Sequence, residues 1–243
     1  MKLEWLAPDW AAPPGVAALA STRAGGASRG AYAGLNLGDH VGDEPAAVAA
    51  NRLAILRHLP GEPLWLNQVH GTAVAVAESA QPGVTADASV AHTANRVLAV
   101  LHADCLPVVF CDEQASVVAV AHAGWRGLAA GVLEATVAAM EVPGERLFAW
   151  LGVAIGPGAY EVGAELRAAF VARDPAAGAA FAPSASGKWR CDLYALARLR
   201  LAALGVSRVA GGSLCSHSDP ARFYSHRRDG VSGRMATLVW LRP

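Results

Sequence analysis

The stretch LHADCLPVVFCDEQASVVAVAHAGWRG, residues 101–127, decides how this chain folds. Pro107–Cys111 and Ser116–Ala121 are short apolar runs rich in branched residues, and a polar turn separates them. Such a pair reads as two buried strands of one sheet. Asp104 and Cys105 stand at the edge of the first strand, and His122 near the end of the second. Packing two apolar strands requires none of these three. A carboxylate on an apolar segment must be paired, hydrogen-bonded or functional.

Further strands are expected at Gly15–Thr22, Leu64–Val69, Ala73–Ala77, Val97–His102, Leu147–Ile155 and Ala236–Leu241. Helical periodicity marks Pro45–His58, Leu128–Met140, Val162–Arg173 and Leu193–Leu204. Pro45 after Asp43-Glu44 suits a first helical turn, and Gly205 suits a stop after Leu204. The strands cluster in the middle and the helices fall irregularly among them. That order predicts an α+β fold with mixed β-sheets, not a regular βαβ series. The segment AAGAAFAPSASGK, 176–188, is expected to be a surface loop. No repeat or linker divides the chain, so one domain is expected over residues 1–243.

Composition narrows the function. Hydrophobic residues make up 53% and charged residues 16%, which describes a compact globular protein. The 20 basic and 20 acidic side chains cancel, so no general attraction to nucleic acid or anionic lipid is expected. The first residues carry no signal-peptide pattern, and no apolar run is long enough to span a membrane. The 4 cysteines include no CxxC pair, which suits reduced thiols in a cytoplasm.

Four polar segments could carry chemistry. NQVHG places Gln68 and His70 at a strand end. HADCLP holds Asp104 and Cys105, whereas Cys111 and Cys191 look like ordinary buried thiols. AHAGWRG runs from His122 through a turn into a helix start, where free N–H groups and Arg126 suit an anion. FYSHRRDGVSGR gathers His226, Arg227, Arg228 and Arg234. Together His70, Cys105 and His122 form a His/Cys/His set. Three such ligands leave a fourth zinc position open, as in a catalytic site. The same residues could instead be a Cys nucleophile with a His base, Cys105 attacking and His122 taking the proton as in an amidase.

These segments, with STRAGGAS, LNLGDHVGD, Asn51-Arg52 and IGPGAYEVG, resemble the multicopper polyphenol oxidase (laccase-domain) family, whose members are also described as purine nucleoside phosphorylases of the YfiH type. The likeness runs in order over nearly the whole chain. It implies a single α+β domain of mixed sheets, similar to the cysteine deamidase toxins. It implies a metal on His70, Cys105 and His122, with zinc expected and copper proposed for relatives. It implies phosphorolysis of adenosine, inosine and 5′-methylthioadenosine, with adenosine deamination. Purine nucleosides and phosphate would be the partners, and a role in peptidoglycan fidelity is attributed to some members.

On that reading Arg126 and the Arg227-Arg228 pair hold phosphate, with Gln68 and His226 near the substrate. Asp104 orients a ligand or serves as general base. His102 departs from the small residue usual before ADC and adds a candidate fourth ligand, although strand alternation points it away from Cys105. The chain has 8 His and no HxH pair, too few for an ordinary multicopper oxidase centre. A single copper on His₂Cys stays open. The H-x-E and P-C-x-x-C signature of zinc nucleobase deaminases is absent.

Overall fold

The computed structural model describes residues 2–243. The strands are β1 (Trp5–Leu6), β2 (Val16–Ser21), β3 (Val74–Val76), β4 (Ala88–Ala91), β5 (Leu98–His102), β6 (Leu106–Asp112), β7 (Val118–Ala123), β8 (Leu147–Leu151), β9 (Glu161–Val162), β10 (Phe181–Pro183), β11 (Trp189–Cys191), β12 (Arg208–Gly211) and β13 (Met235–Leu241). The helices are α1 (Pro45–Leu56), α2 (Trp125–Ala130), α3 (Val132–Ala139), α4 (Ala164–Val171), α5 (Leu193–Ala203) and α6 (His226–Asp229).

A 6-stranded sheet has the order β12-β8-β6-β7-β4-β3, and a 4-stranded sheet the order β1-β2-β13-β5. A small 3-stranded sheet, β10-β11-β9, completes the fold. The large sheet is mixed, since β12–β8 and β3–β4 are parallel and the other pairs antiparallel. The α+β expectation holds.

The two larger sheets pack face to face, and α3 and α5 cover the other side of the large one. Alternation along β6 and β7 divides their side chains between these layers. Leu106, Val108 and Phe110 face the helices with Ala119, Ala121 and Ala123. Val109 and Cys111 face the second sheet with Val118 and Val120. Both faces are buried, so both strands read as continuous apolar runs rather than alternating ones.

This parity positions the site. Cys105 shares the parity of Val109, and His122 that of Val118 and Val120. Both therefore lean toward the sheet-to-sheet side. The register pairs Leu106 with Ala123 and Pro107 with His122, which brings Cys105 opposite Gly124. Immediately before, the chain leaves β5 in the 4-stranded sheet and enters β6 in the 6-stranded one. Ala103-Asp104-Cys105 is that crossing. Asp104 turns the corner with φ 89°, a left-handed value that side chains resist.

Several sequence expectations need correction. Leu64–Val69 is not a strand; only isolated bridges, Leu64 to Leu98 and Asn67 to Thr85, tie it down. Leu128–Met140 is broken at Gly131, whose φ of 109° ends α2 and begins α3. The 176–188 segment is not a loop throughout. A 3₁₀ helix (Pro175–Ala180) leads into β10 and buries Ala177, Ala180 and Phe181. Leu147–Ile155 stops as a strand at Leu151. Among the described residues no helix is long and apolar enough to cross a membrane.

Candidate metal centre

His70, Cys105 and His122 converge from three separate parts of the chain. Their ligand atoms all lie within 4.8 Å of one another. Cys105 Sγ is 3.8 Å from His70 Nε2, and the two imidazoles meet edge to face with centroids 4.8 Å apart. Gly124 makes room for them. A Cβ built there would sit 2.8 Å from His70 Cδ2 and 3.0 Å from Cys105 Sγ. The glycine of HAGWRG is thus a steric requirement of the centre.

A fourth residue, which the sequence reading missed, holds the arrangement. Asp87 is fully buried at the start of β4. Its Oδ1 accepts from the His70 N–H at 2.9 Å and lies 2.9 Å from His122 Nδ1. Its Oδ2 accepts from the N–H groups of Gly71 at 2.6 Å and Val69 at 3.1 Å. The His122 N–H also donates to the Asp87 carbonyl at 2.7 Å. One carboxylate therefore fixes the QVHG turn and assigns the His122 proton to Nδ1, which leaves Nε2 for a ligand. His70 takes φ 60° within this grip. The available signal was an isolated Asp in the apolar run TADASVA, 85–91.

The electrostatics suit a metal-binding thiolate. Burial alone would raise the Cys105 pKa. The neighbouring His122 charge and hydrogen bonds from His122 and His70 outweigh it and bring the thiol down to about 6. Burial would likewise depress His122, but the Cys105 thiolate and the Asp87 carboxylate raise it to about 9. By contrast, burial pushes Cys111 and Cys191 up to about 12, as inert core thiols require.

Two imidazoles and a thiolate, with a carboxylate behind one of them, form a donor set that fits a tetrahedral N/S metal with one position left open. The three side chains face a cleft of ≈ 410 Å³, within the roughly 300–1,000 Å³ range of small-molecule sites. His40, Arg126, His226 and Arg234 also line it.

The other expected site residues fall differently. Arg126 and His226 are exposed on the cleft wall, and Arg126 lies over the Trp125 ring. Gln68 lines the cleft, but both ends of its amide are engaged by the Leu101 backbone, at 2.9 and 2.7 Å. It anchors the QVHG turn to β5. Asp104 is not beside the ligands' far nitrogens, and the orienting carboxylate is Asp87. Asp104 instead accepts from Ser216 Oγ at 2.6 Å and from the Arg227 N–H at 2.7 Å. Arg227 sends its guanidinium to the Glu161 carbonyl and over Tyr160. Arg228 binds Asp229 and the carbonyls of Ser216, His217 and Phe223, so it braces α6 rather than facing the cleft. His102 does lie outside the ligand set, its Nε2 2.9 Å from Thr237 Oγ1. Burial, then the charges of His122 and Arg234, bring it down to about 3 and keep it neutral.

A mixed-sheet α+β domain with a His/Cys/His group that could hold a metal where its two main sheets meet marks a protein of the laccase-domain class. The chain belongs to the family described as multi-copper polyphenol oxidoreductase laccase, whose pattern matches residues 17–242. A Pseudomonas aeruginosa protein named purine nucleoside phosphorylase is 52% identical over 238 residues, covering 98% of both chains. The Escherichia coli purine nucleoside phosphorylase YfiH is 49% identical over 240 residues, covering 97% of this chain and 98% of its own. The crystal structure of a Neisseria meningitidis protein superposes with a TM-score of 0.95 at 50% identity, covering 98% of this chain and 99% of that one. YlmD from Geobacillus stearothermophilus superposes with a TM-score of 0.89 at 31% identity, covering 98% and 96%.

Proposed function

We propose that this protein is a zinc-dependent purine nucleoside enzyme of the cytoplasm. It cleaves adenosine, inosine and 5′-methylthioadenosine with inorganic phosphate, and it deaminates adenosine. The observation that carries the reading is the three-ligand His70/Cys105/His122 centre, opening on a cleft with cationic walls. The names of the relatives supply the substrate class.

Phosphorolysis brings a phosphate oxygen to the ribose C1′ while the bond from C1′ to the base nitrogen breaks. The cleft must therefore gather a dianion and stabilise an electron-poor sugar carbon. Arg126, His226 and Arg234, the last through Nε and Nη2 since its Nη1 donates to Ser232 and Gly233, are the cleft side chains suited to hold the phosphate. Arg227 and Arg228 are engaged elsewhere and do not share that role. Bound zinc would supply Lewis acidity and a water of lowered pKa, which is what deamination requires. Asp87 keeps the His122 ring oriented, and Asp104 positions α6 and with it His226.

The test is to incubate metal-defined protein with inosine, with and without phosphate, and to measure hypoxanthine and ribose 1-phosphate. Both products should appear only with phosphate, and Cys105→Ala should abolish them. No product, or an unchanged Cys105→Ala variant, would overturn the reading.

One observation favours a second reading. Cys105, lowered to about 6 and 3.8 Å from His70 Nε2, has the features of a nucleophile paired with a base. An amidase of this kind would work best without metal and would form a covalent adduct on Cys105. Loss of adduct formation on removing metal would exclude it. A copper oxidase on the same His₂Cys donors would take up oxygen with phenols on copper loading. Absence of oxygen uptake excludes that reading as well.

A further inference from the structure

The metal cleft does not end at the cationic wall. A second cavity of ≈ 530 Å³ shares His40 and Gln68 with it and extends away from the ligands, lined by Asp39, Arg52, Trp65 and Asn67. At its heart is a flat shelf. The Arg52 guanidinium lies over the Trp65 indole, 4.4 Å from the ring centroid. Its in-plane donors are fixed at the edges, with Nε bonded to the Leu37 carbonyl at 3.1 Å and the Nη2 3.2 Å from Asp39 Oδ2. The indole is itself tied by Nε1 to Glu62 at 3.3 Å. With one face on the indole and Nε and Nη2 engaged, the guanidinium offers its outer face. The side chain keeps 20% of its surface exposed.

We infer that this Arg52–Trp65 shelf is the subsite for the purine base, with the base stacked on the outer guanidinium face. The inference rests on the purine nucleoside reading of the metal cleft and adds where the base goes. Three arguments support it. First, displacement at C1′ places the incoming phosphate and the departing base on opposite sides of that carbon. The second cavity shares His40 and Gln68 with the cleft and contains none of the side chains assigned to phosphate, so it gives the departing base a separate place. Second, the shelf is unsuited to an anion. Asp39 already neutralises Arg52, and its exposed carboxylate would repel a phosphate. Third, planar guanidinium and aromatic groups hold nucleobases by their faces without demanding a particular edge. Asn67 Nδ2 donates to Thr85 Oγ1 at 2.9 Å, which fixes the amide, and its Oδ1 can accept from a base. Hypoxanthine, by N1–H, and adenine, by its 6-amino group, both carry an N–H donor on the edge away from the sugar. The pocket thus accepts both bases and is poorly matched to anything non-planar.

The experiment separates the subsite from the reaction. Binding of hypoxanthine and adenine alone is measured by calorimetry, for wild type, Arg52→Lys, Arg52→Ala and Trp65→Leu. The KM values for inosine and for phosphate are measured in parallel. Arg52→Lys keeps the charge and the Asp39 pair but removes the plane, so it controls for folding and electrostatics. Stacking of this kind predicts a roughly tenfold loss of base affinity in Arg52→Lys and Arg52→Ala. The KM for inosine should rise by a similar factor while that for phosphate stays put. Base affinity unchanged in all three folded variants would overturn the subsite even if phosphorolysis is intact. Shelf-dependent base binding without any phosphorolysis would uphold the subsite and overturn the reaction.

Discussion

At the scale of single residues, the centre depends on protonation and on one missing methyl group. Cys105 is lowered to about 6 chiefly because His122 opposes the burial penalty. Metal-free protein should therefore be alkylated at Cys105 with a midpoint near pH 6, since the thiolate exists above its pKa and is lost below it. In His122→Ala that midpoint should move up toward or above the ordinary range near 8.5. A midpoint unchanged by that substitution would show that His122 is not the cause. Stability follows the same signs. The lowered Cys105 contributes stability that is complete above its unfolded value and disappears as pH falls through about 6. The raised His122 contributes stability complete below its unfolded value and lost as pH rises through about 9. Metal-free protein should thus melt highest between those limits. Asp87→Asn should weaken metal binding by roughly 10- to 100-fold, read by competition with a chelating dye. Gly124→Ala should lower metal content with the fold intact by circular dichroism, because its Cβ would enter the space of His70 and Cys105.

At the scale of elements, the β6–β7 hairpin and the crossing from β5 carry the site. Asp104 accepts from Ser216 Oγ and from the Arg227 N–H, so it ties the crossing to α6 and the wall carrying His226. Asp104→Ala leaves two donors without their partner, at a cost of about 1–3 kcal/mol for a buried group. Hydrogen exchange should accelerate in 215–230 while β6 and β7 remain protected; uniform acceleration would contradict a local tie. The hairpin itself was legible from its apolar runs and turn. Even the shared face of Cys105 and His122 is written in strand parity. The Leu64–Val69 segment has the composition of a strand, yet it packs beside strands with isolated bridges only. The 176–188 segment reads as a loop because small residues such as Ala177 and Ala180 bury well but lack a periodic signal. Arg228 looked like an anion holder because sequence shows charge but not the carbonyls that already claim it.

At the scale of the whole molecule, candidate ligands from the turn before β3 and from the first and last residues of a hairpin meet where two sheets join. Metal binding should therefore stabilise the domain as a unit. Metal at about a thousand times its Kd should add about 4 kcal/mol. Thermal melting of wild type should rise on adding zinc, and that of Cys105→Ser should not. Distant polar residues also close the molecule around the cleft. Asn36 accepts from the Arg234 N–H at 2.8 Å, while Asn51 donates to the Asn36 carbonyl, joining the first and last thirds of the chain.

The sequence by itself determined the α+β class, the buried hairpin, the inert character of Cys111 and Cys191, and the three residue types of a metal site. Those follow from local periodicity, burial preference and ligand chemistry, which short stretches of chain already contain. Only the tertiary structure decided that His70 reaches Cys105 and that Asp87 is the carboxylate behind them. It also decided that Gln68, Asp104, Arg227 and Arg228 are engaged by backbone and side-chain partners. The physical reason is that hydrogen-bond partnership and convergence are set by contacts between segments far apart in sequence. A lone Asp in an apolar strand looks like a fault until the fold brings it four backbone and side-chain donors.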